Sequence, residues 1–269
     1  MSQNKKNNYI YKENEIDIFI NTLLDKISVE SLNFFNSELD IKNKGIDNFD
    51  PVTNADIEIE KTIRNEIKKE FPNVSIYGEE LDSKLREDET YFVIDPIDGT
   101  KSFISGIPTW STLIGFIIEK KPTIGFADYP ALKERYIGIT NGSFLIKNKS
   151  KKKISTSNKS ILKDCVLSAT DPITMFKDNF NLFKKVEDAV SLSRYGLDSY
   201  AYCLLASGLI DIIVESELKI YDIQPLVPII RSAGGYIATW EGDEHILGGR
   251  VIAAANKDLF LQTQKVLLG

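Results

Sequence analysis

The stretch YFVIDPIDGTKSF, residues 91–103, ends a run of buried-strand residues with two aspartates, Asp95 and Asp98. A proline follows the first aspartate and a glycine follows the second, and both dipeptides favour turns. Turn chemistry alone explains them, because an aspartate carboxylate accepts hydrogen bonds from nearby backbone N–H groups. Two carboxylates at one strand end are still more than a turn requires, so the rest of the chain has to decide between a turn and a site.

The composition limits the chemistry that is available. The 269 residues carry a net charge of −6, which disfavours binding to a nucleic-acid backbone. The single histidine, His245, lies in the polar stretch WEGDEHILGG and is predicted to be a solvated loop residue, which argues against a histidine triad or a two-histidine zinc site. Two cysteines cannot build a disulfide framework, and no apolar run reaches the roughly 18 residues of a membrane helix.

The N-terminal stretch MSQNKKNNYIYKENE lacks the apolar segment of a secretory signal. We therefore expect a cytoplasmic protein that binds neither nucleic acid nor a membrane. Its chemistry is expected to use carboxylates, hydroxyls and metal ions.

Hydrophobic spacing predicts a mixed first half of the chain. Apolar residues at helical spacing predict helices over 13–36 and 53–71, and apolar runs predict strands at 74–80 and 91–95. Residues 112–140 are predicted to form strands joined by turns.

The second half alternates strands and helices. The predicted elements are a strand at 165–170, a helix at 175–189, a short strand or turn at 191–196, a helix at 199–208, a strand at 209–216, a helix at 223–235, strands at 236–242 and 250–256, and a helix at 257–269. The pattern predicts an α/β protein, with an α+β N-terminal lobe at about residues 1–145 and an α/β C-terminal lobe at about 146–269.

Two polar stretches are predicted to be loops. Residues 42–53 form a polar connection, and KNKSKKK, residues 147–153, is predicted to be a solvated loop tip. A nucleic-acid or membrane patch at 147–153 is a minor alternative, because no aromatic residues interleave with the lysines.

Three further carboxylates stand at the ends of predicted elements. Glu79, in GEE, follows a strand, while Asp56 and Asp222 open helices. Each has a structural explanation: Thr53 and Asp56 match a capping box, and an aspartate in the first turn of a helix is favourable anyway. Active sites in α/β proteins, however, form at strand C-termini and helix N-termini.

If these carboxylates converge, their repulsion requires cations. Oxygen ligands suit Mg²⁺ or Mn²⁺, and Mg²⁺ shares its shell with waters and substrate phosphate oxygens. The stretch GTKSF, residues 99–103, adds a glycine, a hydroxyl and a predicted helix start whose N–H groups suit a phosphate. The combination predicts metal-assisted phosphoryl transfer.

The ordered set DPVTNAD, GEE, DPIDGT and YDIQPLVPIIRSAGG resembles the inositol monophosphatase superfamily of Mg²⁺-dependent, lithium-sensitive phosphatases, over about residues 15–269. The stretches YPALKERYIGIT and RYGLDSYAYCLLASGLIDIIVESELKIYD are most similar to its histidinol-phosphate phosphatase branch. The resemblance implies one catalytic domain over 1–269, folded as a layered αβαβα sandwich, and a homodimer.

The resemblance also implies roles for individual residues. The implied ligands of up to three Mg²⁺ ions, with Mn²⁺ as a possible substitute, are Glu79, Asp95, the Ile97 carbonyl, Asp98, Asp222 and Asp56. The implied catalytic residues are Asp56, Thr100 and Glu79, of which Asp56 and Thr100 activate the attacking water. The implied phosphate-binding residues are Asp98, Gly99 and Thr100.

The resemblance implies that substrate choice depends on Glu215 and Asp198. Glu215 matches the family position that contacts the leaving alcohol, and Asp198 matches the pattern of the histidinol-phosphatase branch. Carboxylates there favour histidinol, which is cationic, over inositol, which is neutral. Both residues have structural alternatives: Glu215 as a solvated strand-edge residue and Asp198 as a helix N-cap. Lys44 is a further candidate, for neutralising a metal ligand or a phosphate.

The sequence thus predicts a Mg²⁺-dependent phosphomonoesterase, with histidinol phosphate as the expected substrate in histidine biosynthesis. The alternatives within this class are an inositol-1-monophosphatase and a broad-specificity sugar or nucleotide phosphatase. A non-catalytic binding module of the same fold is the alternative from another class, and retention of every carboxylate argues against it. A glycosidase with two catalytic carboxylates is a further alternative, but it gives no role to the predicted helix start at residues 99–103.

Overall fold

A computed structural model describes residues 11–44, 51–81, 90–176 and 179–269. The α-helices in these ranges are α1 (Glu13–Phe35), α2 (Asn54–Glu70), α3 (Thr100–Ile104), α4 (Pro172–Phe176), α5 (Phe180–Ala189), α6 (Ser199–Ala206), α7 (Ile220–Ile223), α8 (Leu226–Ser232) and α9 (Lys257–Leu268). The β-strands are β1 (Ile41–Asn43), β2 (Pro51–Thr53), β3 (Ser75–Gly78), β4 (Tyr91–Asp98), β5 (Ser111–Ile118), β6 (Lys121–Tyr129), β7 (Glu134–Ile139), β8 (Gly142–Lys147), β9 (Ser150–Ile154), β10 (Val166–Ala169), β11 (Leu192–Tyr195), β12 (Ile212–Leu218), β13 (Tyr236–Thr239) and β14 (Gly249–Ala254).

The first sheet has the strand order β3-β4-β5-β6-β7-β8-β9 and is antiparallel except for the parallel β3–β4 pair. Helices α1 and α2 cover one of its faces, because each presents a stripe of buried apolar residues at helical spacing. Ile20 of α1, Ile59 of α2 and Phe92 of β4 meet there in one hydrophobic cluster.

The middle layer consists of helices α6 and α8, between the two sheets. Their apolar residues form one cluster with the inner faces of both sheets, including Leu113 of β5 and Ile213 of β12. Helix α8 approaches the first sheet so closely that a Cβ atom at Gly138 would overlap the backbone of Ile229. Glycine is needed in β7 at this point because backbone occupies the space of a side chain.

The second sheet has the order β11-β10-β12-β14-β13, and its outer face is covered by α5 and α9. Phe183 of α5, Phe260 of α9 and Ile252 of β14 belong to the cluster on that face. The layers therefore run helix, sheet, helix, sheet, helix, which confirms the predicted αβαβα arrangement. The first sheet ends at Ile154 and the second begins at Val166, while the division into lobes at about residue 145 stays a prediction.

Several predicted boundaries are wrong. The polar stretch 42–53 contains strand pairing between β1 and β2, although its residues 45–50 lie outside the described ranges. The lysine run 147–153 is not a loop tip, because Ser150–Ile154 pairs with β8 as the edge strand β9. Exposed lysines suit an edge strand, since their charge discourages pairing with another chain.

Two predicted helices are divided. Residues 223–235 are split between α7 and α8 around Gln224 and Pro225. The stretch 175–189 holds the end of α4 and all of α5, and its residues 177–178 lie outside the described ranges. His245 is exposed, as predicted. Among the helices described, none combines the length and the apolar character required to cross a membrane.

Candidate active site

Asp95 and Asp98 reach the same pocket because strand β4 bulges between them. In a regular strand, residues three apart face opposite sides of the sheet. From Asp95 to Asp98, β4 advances by three residues while its partner β5 advances by two. The extra residue is a β-bulge, which turns the Asp98 side chain to the same side of the sheet as that of Asp95. Pro96 lies within the bulge, where its missing N–H is tolerated, and its carbonyl accepts a hydrogen bond of 2.9 Å from Thr112 Oγ1.

The pocket has a volume of about 270 Å³ and contains nearly all of the predicted site residues. Those that line it are Glu79, Asp95, Ile97, Asp98, Gly99, Thr100, Asp198, Glu215 and Asp222. Asp56 lies just behind this lining, with its Oδ1 3.4 Å from Thr100 Oγ1. The structure therefore brings together residues that lie as far as 166 positions apart in the chain, from Asp56 to Asp222.

Glu79 lies beside Asp95 because β3 and β4 are parallel and their pairing ends at the residues just before these two. Gly78, the last residue of β3, pairs with Ile94, so that the next residue of each strand emerges at the same edge. Lys44 extends over this edge, and its Nζ lies 3.0 Å from Glu79 Oε1 and 2.8 Å from Glu80 Oε1. Burial opposes the charge of its ammonium group, but the two glutamates outweigh this effect and raise the pKa of Lys44.

The turn that carries Glu79 and Glu80 is held from below by Glu60, a fully buried residue of α2. Glu60 Oε2 accepts a hydrogen bond of 2.7 Å from the Glu80 N–H, and Oε1 accepts one of 3.2 Å from the Leu81 N–H. Arg64 Nε lies 2.6 Å from Glu60 Oε1 and completes a buried ion pair. Two backbone N–H groups and one guanidinium thus fix the Glu79 turn against helix α2.

Asp56 both caps helix α2 and reaches the residues of the pocket, so the two roles that the sequence allows are present together. Its Oδ2 accepts hydrogen bonds of 2.8 Å from the Thr53 N–H and 2.6 Å from Thr53 Oγ1. This is the predicted capping box at the start of α2. Its other oxygen, Oδ1, faces Thr100, so that one carboxylate caps a helix and borders the pocket.

Asp222 is likewise a helix-start residue that borders the pocket. The Lys219 N–H donates a hydrogen bond of 2.7 Å to Asp222 Oδ2 at the beginning of α7. This contact fixes the side chain at the edge of the pocket.

Gly99 and Thr100 form the turn from β4 into α3. Gly99 has a φ of 78°, in the left-handed region that favours glycine. An added Cβ would lie 2.9 Å from Asp198 Oδ2, so space as well as conformation restricts this position. Thr100 Oγ1 is 3.1 Å from the Ile97 carbonyl oxygen, to which it donates a hydrogen bond.

Asp198 precedes α6, but its side chain makes no capping hydrogen bond, so the N-cap explanation is wrong. Its carboxylate turns towards the pocket and accepts a hydrogen bond of 3.2 Å from Ser102 Oγ. A φ of 49° at Asp198 is strained for a residue other than glycine. The following N–H, of Ser199, donates a hydrogen bond of 3.0 Å to Asp98 Oδ2 and joins α6 to the β4 bulge.

Glu215 is fully buried in β12, so the solvated-edge explanation is wrong. Its Oε1 accepts two hydrogen bonds of 2.8 Å from Thr170, one from the N–H and one from Oγ1. Its Oε2 has no hydrogen-bond partner within the described part of the chain. Burial raises the pKa of Glu215 to about 8, although the Thr170 hydrogen bonds oppose the shift.

The pocket carboxylates disfavour one another's charge. Burial, followed by repulsion from Glu79, Asp98 and Asp222, raises the pKa of Asp95. Burial and the neighbouring Asp198 raise the pKa of Asp98 to about 7. Within the described ranges, no three Asp, Glu, His or Cys side chains already stand close enough together to hold a metal ion. The site is therefore an open set of mutually repelling carboxylates.

Three residues of the site lack a signal that the sequence makes visible. Glu60 is one acidic residue among several in α2, and only its burial under the β3 turn distinguishes it. Thr170 follows β10, and its contact with Glu215 requires the β10–β12 pairing. Tyr202 lies on α6 in the hydrophobic cluster between the two sheets, so its sequence context is that of a core residue.

Comparisons with known proteins show the family to which the chain belongs. Residues 14–267 match the Inositol monophosphatase family. The Arabidopsis thaliana protein named bifunctional phosphatase IMPL2, chloroplastic, is 36% identical in an alignment that covers 95% of this chain and 76% of that protein. The histidinol-phosphatase of Chlorobaculum parvum is 31% identical over 206 residues, 77% of this chain and 79% of that protein.

A solved structure of an inositol monophosphatase from Zymomonas mobilis has a TM-score of 0.82 and 30% identity, and covers 96% of this chain and 99% of its own. The layered fold and the relatives of this chain define a phosphoric monoester hydrolase. The chain belongs to the inositol monophosphatase family.

Proposed function

We propose that this chain is a divalent-metal-dependent histidinol-phosphate phosphatase, which releases histidinol and phosphate. The metal ions are Mg²⁺, up to three per site, with Mn²⁺ as a substitute. The residues that would hold them are Glu79, Asp95, the Ile97 carbonyl, Asp98, Asp222 and Asp56.

The observation that supports the metal is the state of Asp95. It is 2% exposed and lies among other carboxylates, and its Oδ1 has no hydrogen-bond partner among the residues that the structure describes. A buried anionic oxygen without a partner is costly unless a cation compensates it. The available donors are carboxylate and carbonyl oxygens, which suit Mg²⁺ and Mn²⁺ better than softer metals.

The chain's own residues account for the remaining parts of the reaction. Thr100 Oγ1 and Asp56 Oδ1 form a pair that can accept a proton from the attacking water. The N–H groups of Gly99 and Thr100, at the left-handed turn into α3, would bind phosphate oxygens. When bound, the metal ions lower the pKa of water and offset charge on the leaving oxygen.

The observation that supports histidinol phosphate is the second carboxylate pair in the pocket. Asp198 and Glu215 both line it, and Glu215 Oε2 is buried and accepts no hydrogen bond from any residue in the described ranges. An amine or imidazolium on the leaving group would satisfy this oxygen with a charge-assisted hydrogen bond. A neutral leaving group would gain less from two carboxylates.

The test is steady-state kinetics on phosphomonoesters with Mg²⁺, including histidinol phosphate, inositol 1-phosphate, a sugar phosphate and a nucleotide. We expect the highest kcat/KM for histidinol phosphate, and Asp95→Asn should abolish hydrolysis while the protein stays folded. A higher kcat/KM for inositol 1-phosphate contradicts the substrate. Unchanged hydrolysis by Asp95→Asn contradicts the metal assignment.

An inositol-1-monophosphatase is the second candidate. The observation in its favour is the 30% identity to the Zymomonas mobilis enzyme across nearly the whole chain. The same substrate measurement separates the two, because the leaving groups differ in charge.

The resemblance to the family also supports lithium inhibition, a homodimer and a cytoplasmic enzyme of histidine biosynthesis as parts of the proposal. Restored growth of a histidine auxotroph that lacks its histidinol phosphatase would support the pathway. Failure of a folded, phosphatase-active protein to restore growth would contradict it.

A further inference from the structure

The pocket concentrates buried polar atoms that lack partners. Across the described residues, four buried side-chain oxygen or nitrogen atoms have no hydrogen-bond partner. Three of them line this pocket, namely Asp95 Oδ1, Glu215 Oε2 and the Tyr202 hydroxyl. Buried polar groups are nearly always paired, so such a concentration indicates a bound ligand. Asp95 and Glu215 have roles above, whereas Tyr202 has none.

The Tyr202 hydroxyl is held in place by its surroundings. The side chain is 3% exposed, and the residue belongs to the hydrophobic cluster between the two sheets. It lies on α6 and, like Asp198, lines the pocket. A phenylalanine would pack in the same cluster, so packing alone does not explain the hydroxyl.

The neighbours of this hydroxyl are acidic. Glu215, Asp222 and Asp98 are near enough to act on Tyr202 electrostatically, yet none of them accepts its hydrogen bond. At neutral pH a phenol keeps its proton and can donate it to an acceptor. A molecule that enters the pocket can supply this acceptor.

We propose that Tyr202 is a specificity-determining residue, whose hydroxyl donates a hydrogen bond to an acceptor atom of the leaving group. Glu215 Oε2 accepts a hydrogen bond from a donor atom of the same group. The inference rests on the proposed phosphatase function and defines its substrate class as esters of polar alcohols that carry both a donor and an acceptor. An aryl phosphate that lacks such groups gains nothing from either residue.

The test compares Tyr202→Phe with Tyr200→Phe in the intact protein. Tyr200 is the matched control, because its hydroxyl donates a 3.0 Å hydrogen bond to Glu134 and it does not line the pocket. The kinetic readout is kcat/KM for the best polar-alcohol substrate of the panel, divided by kcat/KM for phenyl phosphate, whose leaving group carries no polar substituent.

We expect Tyr202→Phe to lower this ratio about tenfold, as one lost hydrogen bond predicts. Tyr200→Phe should leave the ratio within about twofold, because its hydroxyl is bonded elsewhere. The melting temperatures should rank the two variants the other way round. Tyr202→Phe should keep or raise the melting temperature, because an unpaired buried hydroxyl is removed, whereas Tyr200→Phe should lower it.

An unchanged ratio in Tyr202→Phe overturns the inference, whether both kcat/KM values stay the same or both fall equally. The proposed function fails separately, if the panel selects an alcohol other than histidinol. The ratio is then measured with that alcohol, so Tyr202 is tested in either case.

Discussion

Replacing Glu60 with glutamine tests whether a buried ion pair holds the Glu79 turn at the pocket. The glutamine keeps the shape of the side chain, but it removes the negative charge beside Arg64 and one acceptor oxygen from the N–H groups of Glu80 and Leu81. Removing one partner of a buried ion pair costs about 3–5 kcal/mol. In a chain of this size that corresponds to a melting temperature lower by roughly 10 °C.

The effect on activity should appear in the metal requirement. Glu79 emerges from the turn that Glu60 holds, so its displacement weakens one of the proposed ligands. We expect the Mg²⁺ concentration for half-maximal hydrolysis to rise about tenfold, which corresponds to about 1.4 kcal/mol of lost binding. Thermal unfolding and Mg²⁺ titration of the activity measure the two effects.

The control is Glu66→Gln, the same substitution on the same helix. Glu66 pairs with Lys26 and Lys69 at the surface, where such pairs are worth about 1 kcal/mol or less. The double substitution Glu60→Leu with Arg64→Met should recover part of the stability, because apolar groups replace the pair, but not the metal affinity. A Glu60→Gln protein that matches Glu66→Gln in both measurements would refute the reasoning.

Two further substitutions test the geometry of the site and of the fold. Gly99→Ala forces a side chain into a left-handed turn 2.9 Å from Asp198 Oδ2, so kcat/KM should fall about 100-fold, as misplacement of catalytic groups by about 1 Å predicts; activity close to that of the unchanged protein would contradict this. Gly138→Ala places a Cβ atom against the backbone of Ile229, so urea unfolding should show a loss of about 3 kcal/mol. A loss below about 1 kcal/mol would show that α8 can withdraw from the sheet.

The sequence predicts the larger features of this molecule because local patterns determine them. Helical spacing predicts 13–36, and the structure has α1 at Glu13–Phe35. The capping box at Thr53 and Asp56 is present as the pattern requires. The order of the carboxylate motifs predicts that they share a pocket, because strand ends and helix starts meet at one edge of a sheet.

Other features depend on contacts between distant residues. The bulge in β4 depends on pairing with β5, and without it Asp95 and Asp98 would face opposite sides. The lysines of β9 resemble a loop in composition, and only pairing with β8 makes them a strand. The burial of Glu60 depends on the position of the β3 turn, which helix α2 alone does not determine.

The central claim is that these acidic side chains bind divalent cations which the hydrolysis requires. Its most direct test is a Mn²⁺ titration of the unchanged protein and of Asp95→Asn, in which the electron paramagnetic resonance signal measures the concentration of free Mn²⁺. We expect saturable binding that Mg²⁺ displaces, at least tenfold weaker in Asp95→Asn, consistent with the loss of one charged ligand. A folded protein that leaves Mn²⁺ free and hydrolyses phosphomonoesters equally well in excess chelator would contradict the claim.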